Sequence, residues 1–133
     1  MTVERSDKLT GLPNRRAFDE SEPPGPFVAI IDVNGQRHFN DHNGHAAGDI
    51  LIKRLAEILV SVGLDVYRTG GDEFTCKGDS REDLDRKLPQ ANNLLSSEPI
   101  PADFCFGIGS RLQEAQQSLK EAKRTHYCGK PNP

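Results

Sequence analysis

Val66-Tyr67-Arg68-Thr69-Gly70-Gly71-Asp72-Glu73-Phe74-Thr75-Cys76 is the stretch on which the fold turns. Two short runs rich in aromatic and β-branched residues flank a pair of glycines, the pattern of a β-hairpin. Adjacent glycines allow backbone angles that side chains forbid, and they let a ligand come close to the main chain. Two adjacent carboxylates, Asp72 and Glu73, open the second strand. A turn that is both open and acidic suits a divalent cation carrying phosphate. On its own such a turn is ordinarily just a hairpin, so its meaning depends on what the rest of the chain brings to it.

Upstream, Phe27-Val28-Ala29-Ile30-Ile31-Asp32 is a continuous apolar run that ends in an acid and reads as a buried central strand. The proline-rich segment from Ser21 to Pro26 is the loop before it. Between this strand and the hairpin, Asp49 to Val62 places Ile50, Leu51, Leu55, Ile58, Leu59 and Val62 on one stripe of a helix, which Gly63 ends. Downstream, Arg81 to Leu95 forms a second amphipathic helix on Leu84, Leu88, Ala91 and Leu95, with an irregularity expected at Pro89. Asp103 to Ile108 reads as a strand and Leu112 to Arg124 as a last helix.

The order β-α-β-β-α-β, with a helix appended, is the ferredoxin-like split βαβ arrangement, an α+β fold with a central antiparallel sheet and flanking helices. Right-handed crossovers set the first and third strands side by side and antiparallel. The end of the first strand then lies beside the start of the third. Asp32 and Asp72, 40 positions apart in sequence, are therefore expected to converge. Mg²⁺ takes one or two protein carboxylates and completes its octahedron with phosphate oxygens and water.

Composition narrows the function classes. The chain has 133 residues, enough for one domain with a real core. No apolar run approaches the roughly 18 residues of a membrane span, and Met1 to Lys8 contains no apolar signal-peptide core. A net charge of −3 gives no case for nucleic-acid binding. Cys76, Cys105 and Cys128 are odd in number and widely spaced, matching neither a zinc site nor a disulfide framework. They read as reduced thiols of a cytoplasmic protein. His38, His42 and His45 could share a helical face.

The residues also resemble a known family, the GGDEF-domain diguanylate cyclases. The resemblance begins at Asp7-Lys8-Leu9-Thr10-Gly11-Leu12-Pro13-Asn14-Arg15-Arg16-Ala17-Phe18 and continues at Asp32, Asn40-Asp41, Gly44-His45 and Gly48-Asp49. It includes the whole turn from Gly70 to Phe74, and Ala115, Leu119, Ala122 and Lys123 fall in register with the family's final helix. It implies a single domain over residues 1–133, with an N-terminal family segment at 1–20 and a nucleotidyl-cyclase-like palm over 27–128.

It further implies condensation of two GTP into cyclic di-GMP with release of pyrophosphate, using Mg²⁺ or Mn²⁺. Asp32 and Asp72 would hold the metal with the backbone carbonyl of Val33. Glu73 would take the second metal position or assist deprotonation of the attacking hydroxyl. Asn40 and Asp49 would read the guanine edge, although Asn40 also suits a turn and Asp49 a helix N-cap. Arg37 would stand near the phosphates, Lys123 would reach the triphosphate, and Gly70 and Gly71 would let the nucleotide approach the turn. Catalysis would need a homodimer, formed through the chain's own surface or with the help of a separate sensory or regulatory protein; neither nucleic acid nor membrane is an implied partner.

Four departures stand beside the match. The stretch Asp32-Val33-Asn34-Gly35-Gln36-Arg37 lacks the family's second acid and its aromatics, and Gly35 is expected to soften the phosphate loop. Tyr127 stands where the final helix has an arginine, with Arg124 or Lys130 as substitutes. The chain is short between Cys76 and Phe104. The product-inhibition motif, an arginine and an aspartate three residues apart, is replaced by Ser61-Val62-Gly63-Leu64. The alternative these departures leave open is a catalytically weak or inactive GTP-binding regulatory module.

Overall fold

The apolar run at Phe27 forms the strand around which the molecule is built. In the computed structural model, which describes residues 4–21 and 26–125, β1 (Phe27–Val33) is a central strand with a neighbour on each side. The elements in chain order are α1 (Arg15–Glu20), β1, α2 (Gln36–Asn43), α3 (His45–Ser61), β2 (Asp65–Arg68), β3 (Glu73–Gly78), α4 (Arg81–Ser96), β4 (Phe104–Gly109) and α5 (Leu112–Arg124). The sheet order is β2-β3-β1-β4, and every neighbouring pair is antiparallel. This is the expected ferredoxin-like arrangement, with α1, α2 and α5 added to it.

Alternation along the strands divides the core between the two faces of the sheet. Ala29, Ile31 and Val33 of β1 join Phe74, Cys76 and Phe104 in a large cluster under α3 and α4. Val28 and Ile30 point the other way and meet Ala115 of α5, with Phe18, Leu112 and Leu119 around them. The α3 stripe is Leu51, Ile52, Leu55, Ala56, Ile58 and Leu59. Ile50, placed on that stripe by its spacing, is instead 66% exposed.

Helix α4 runs without interruption through Pro89, against the irregularity expected there. Its buried stripe of Leu84, Leu88, Ala91 and Leu95 spans the proline on both sides, and Pro89 itself lies on the exposed side. The N-terminus of α4 is capped by Ser80, whose hydroxyl accepts from the Asp83 N–H at 3.0 Å. Asn92 is a buried polar residue with a defined task. Its Nδ2 donates to the Phe104 carbonyl at 2.9 Å and its Oδ1 accepts from the Phe104 N–H at 3.0 Å. An amide side chain thus takes the place of a neighbouring strand at the start of β4 and satisfies both backbone groups.

Helix α5 lies unusually close to the sheet because β4 carries glycine beneath it. A Cβ on Gly107 would sit 2.1 Å from the Leu119 nitrogen and 2.3 Å from the Ala115 carbonyl oxygen. At Gly109 it would lie 2.5 Å from the Ala115 nitrogen. No side chain fits at either place while the helix stays where it is.

The cysteines differ from one another. Cys76 is a free thiol with no exposure, and burial, reinforced by the nearby Asp65 carboxylate, pushes its pKa far up. Cys105 is buried, with its Sγ 3.1 Å from Asn34 Oδ1, and Cys128 lies outside the described residues. Among the described residues no helix is long and apolar enough to cross a membrane.

Candidate active site

The β1–β3 register fixes the acidic centre. Asp32 is directly opposite Glu73, so both side chains leave the same face of the sheet from adjacent strands. Asp72 is one residue earlier, and its carbonyl accepts from the Val33 N–H at 3.0 Å. The end of β1 and the start of β3 therefore meet, as the topology predicts, and the residue facing Asp32 across the ladder is Glu73.

The face they share is the one covered by α5. From the last turn of that helix Lys123 reaches back and forms an ion pair with Asp32 Oδ2. Residues 91 positions apart in sequence are brought together here by the close seating of α5 on Gly107 and Gly109. The Asp32 side chain is 19% exposed and the Lys123 side chain 49%, so the pair opens to solvent on the lysine side.

Glu73 is held from the opposite direction. Thr69 Oγ1 donates to Glu73 Oε2 at 2.5 Å. The Thr69 hydroxyl has one proton, so in its 2.8 Å contact with Thr75 the Thr75 hydroxyl is the donor. Thr75 is buried, and this chain anchors the carboxylate to the sheet. Sequence reasoning missed Thr69; its place directly before the glycines was the available signal.

The turn is not built as its glycines suggest. Neither Gly70 nor Gly71 has a positive φ; among the described residues that conformation belongs to Gly11, Gly35, Gly44 and Gly63. Gly70 is instead in a tight place, since a Cβ there would lie 3.1 Å from Glu73 Cβ and one of the two would have to give by a few tenths of an ångström. At Gly71 nothing lies within 4 Å, so the turn is open on that side.

Arg68, a second residue not singled out from the sequence, ties the turn to the N-terminal segment. Its Nη1 lies 3.0 Å from both Asp7 carboxylate oxygens and its Nη2 donates to the Gly71 carbonyl at 2.7 Å. Its backbone N–H donates to Pro13 at 2.8 Å. Burial alone would raise the Asp7 pKa, but hydrogen bonds from the Thr10 hydroxyl and N–H, with the Arg68 guanidinium, outweigh it and hold the carboxyl below its ordinary value. Asp7, Arg15, Arg16, Arg68 and Gly71 line a 380 Å³ cavity beside the turn.

The proposed base-reading residues lie at the α2–α3 corner. Asn40 is within α2, not in a turn, and accepts from Gln36 Nε2 at 3.4 Å. Its Oδ1 would be only 1.9 Å from a Cβ on Gly48, so the Asn40 side chain occupies the space that glycine leaves on α3. Asp49 follows Gly48. It is exposed and lies inside α3, which begins at His45 behind Gly44, so it is not the N-cap of that helix. Arg37 is exposed in the first turn of α2. Gly35 takes a φ of 61° and stands at the N-cap of α2. Tyr127 and Lys130 lie outside the described residues.

An antiparallel palm-like sheet with acids at the junction of its two central strands, a lysine over one of them and a glycine turn beside them defines the class of nucleotidyl-cyclase-like palm domains. The chain belongs to the GGDEF family: the family profile "Diguanylate cyclase, GGDEF domain" matches residues 4–103. It is similar to the diguanylate cyclase DgcZ of Escherichia coli K12, 40% identical over 79 residues that cover 51% of this chain and 27% of DgcZ. It is also similar to the cyclic di-GMP phosphodiesterase NbdA of Pseudomonas aeruginosa, 35% identical over 96% of this chain and 20% of NbdA. The GGDEF domain of DgcB from Caulobacter crescentus, solved in complex with c-di-GMP, has the same fold, with a TM-score of 0.81 at 22% identity over 94% of this chain and 93% of that one. The chain thus spans about a quarter of DgcZ and a fifth of NbdA.

Proposed function

We propose that this chain is a diguanylate cyclase, condensing two GTP molecules into cyclic di-GMP with release of pyrophosphate. The observation that carries the reading is the pairing of Asp32 with Glu73 across the central strands, with Asp72 next to them and Lys123 on Asp32. The donors are all oxygen, and two facing carboxylates are the usual protein share of a Mg²⁺ or Mn²⁺ site that phosphate completes. Asp32, Asp72, Glu73 and the Val33 carbonyl would hold that ion, which lowers the pKa of an attacking ribose hydroxyl and neutralises charge developing on the phosphates.

The chain's own groups would do the rest. Lys123 would exchange Asp32 for triphosphate oxygens, with Arg37 adding a second positive charge to them. The acidic pair at Asp72 and Glu73 would accept the hydroxyl proton. The open side of the turn at Gly70 and Gly71 would admit the nucleotide. Asp49 suits the N1–H and N2–H donor edge of guanine, and Asn40 its N3 and amino group, a donor pattern adenine does not offer. Two protomers, each holding one GTP, would complete the reaction, in the cytoplasm, with or without a separate activating protein.

The second reading is a module that binds GTP without turning it over, and it draws on the stretch Asp32-Val33-Asn34-Gly35-Gln36-Arg37, which lacks the family's second acid and its aromatics. The two readings part in one experiment. Purified protein is incubated with GTP and Mg²⁺, and the products are separated by chromatography, alongside GTP and ATP binding measured by calorimetry. Cyclic di-GMP formation supports the cyclase. GTP binding ahead of ATP without product supports the module, and equal binding of both nucleotides rejects the guanine assignment of Asn40 and Asp49.

A further inference from the structure

The histidines of α2 take no part in the site above. His38 and His42 are four residues apart on this helix and so project from one face, one turn apart. Their rings touch, with centroids 4.2 Å apart and planes inclined by 45°. Both side chains are exposed. Among the described residues neither ring has a hydrogen-bond or ion-pair partner. They line a 420 Å³ cavity between α2 and the segment before β4, opposite Pro101 and Asp103. His45, which the sequence spacing allows on the same face, starts a different helix beyond Gly44.

Two imidazoles one helical turn apart form a bidentate ligand. Imidazole nitrogen suits zinc, copper and nickel, whereas Mg²⁺ prefers oxygen, so this pair selects a different ion from the carboxylates of the sheet. We propose that His38 and His42 form a surface site for a divalent transition-metal ion of the Zn²⁺ type, bound through one nitrogen of each ring and completed by water in the cavity. The protein supplies two ligands only, in keeping with the absence of any larger metal-holding cluster among the described residues.

The effect of such a bridge falls on α2 itself. The helix has 8 residues, none of them buried. An isolated helix shorter than about 12–15 residues is marginal in water. It is flanked by Gly35 and Gly44, both at positive φ, where the backbone turns sharply. In the helix residues 38 and 42 lie one turn apart with their rings in contact, so one ion held by both opposes unwinding of the segment that also carries Asn40.

The test titrates ZnCl₂ into the purified protein in excess Mg²⁺, which keeps the oxygen sites occupied. Calorimetry follows binding, and amide hydrogen exchange follows residues 36–43. We expect saturable zinc binding with slowed exchange in α2. His38→Gln and His42→Gln should each weaken binding by about tenfold or more, as for the loss of a strong contact, and remove the slowing. Both positions are exposed and Gln is the better helix former, so these variants keep their fold. His45→Gln and His126→Gln should change neither readout. Zinc affinity undiminished in the His38→Gln/His42→Gln double variant would overturn the proposal, as would zinc binding that leaves exchange in α2 unaltered.

Discussion

Asp32 carries two demands at once: its strand is central and buried, yet its carboxylate must reach solvent. The chain meets both by placing it at the last but one position of β1, where the apolar run stops. Asp72 stands outside both strands, and no core contact depends on it. Asp72→Ala should therefore abolish cyclic di-GMP formation while unfolding in urea stays within about 0.5 kcal/mol of the parent, the usual range for surface substitutions. Wild-type turnover in this variant would remove Asp72 from the chemistry. Residue types announced this centre in the sequence, because acids at the end of an apolar run and after a glycine pair are rare enough to notice. The hydroxyl chain from Thr75 through Thr69 to Glu73 was not legible, since a threonine in a strand is ordinarily just a strand former.

At the scale of the element, a continuous apolar run made β1 readable and apolar stripes made α3 and α4 readable, whereas the scarcity of apolar side chains hid α2. Helix α2 has Phe39 as its one apolar side chain, so it offers no stripe to count. It is held by its glycine ends and by the approach of Asn40 to Gly48, which are tertiary facts. The glycines of β4 escaped notice for the same reason: their meaning lies in a helix that only the fold brings over them. Gly107→Ala tests this. The added methyl would meet backbone, not a flexible side chain, so α5 must lift. Overpacking of this kind costs about 1–3 kcal/mol, read as a lower urea midpoint. Because Lys123 rides on α5, cyclase activity per folded molecule should fall as well. Gly71→Ala, in open space and away from positive φ, should leave the urea midpoint where it is.

The contact between the N-terminal segment and the turn has a pH signature. Thr10 and Arg68 bind the charged form of Asp7, so its folded pKa lies below its unfolded value. A depressed carboxyl contributes stability in full above the unfolded pKa, about 3.9, and loses it as pH falls through that value toward the folded one. Parent protein should accordingly lose more stability between about pH 5 and pH 3 than Asp7→Asn, which has no charge to forfeit. Urea titrations of both proteins across this range check it; parallel losses would mean that the Asp7–Arg68 pair has no linkage to folding.

At the scale of the whole molecule, the site described here is half of what the proposed reaction needs. In that reaction one palm would hold one GTP, and the second would come from another copy facing it. Mass action then governs assembly, and specific activity should rise steeply with protein concentration before it levels off. Product should not interrupt that rise. At the positions where the family carries its inhibitory arginine and aspartate, the Ser61 hydroxyl donates to the Ile58 carbonyl at 2.7 Å and Leu64 is buried in the core at 7% exposure. Neither can present a charged group to a dinucleotide. Turnover measured over a hundred-fold range of protein, with and without added cyclic di-GMP, separates the two claims. Specific activity independent of concentration would point to a preformed dimer or a self-sufficient chain. Inhibition by low product concentrations would show that a brake exists elsewhere on the surface, built from residues other than Ser61 and Leu64.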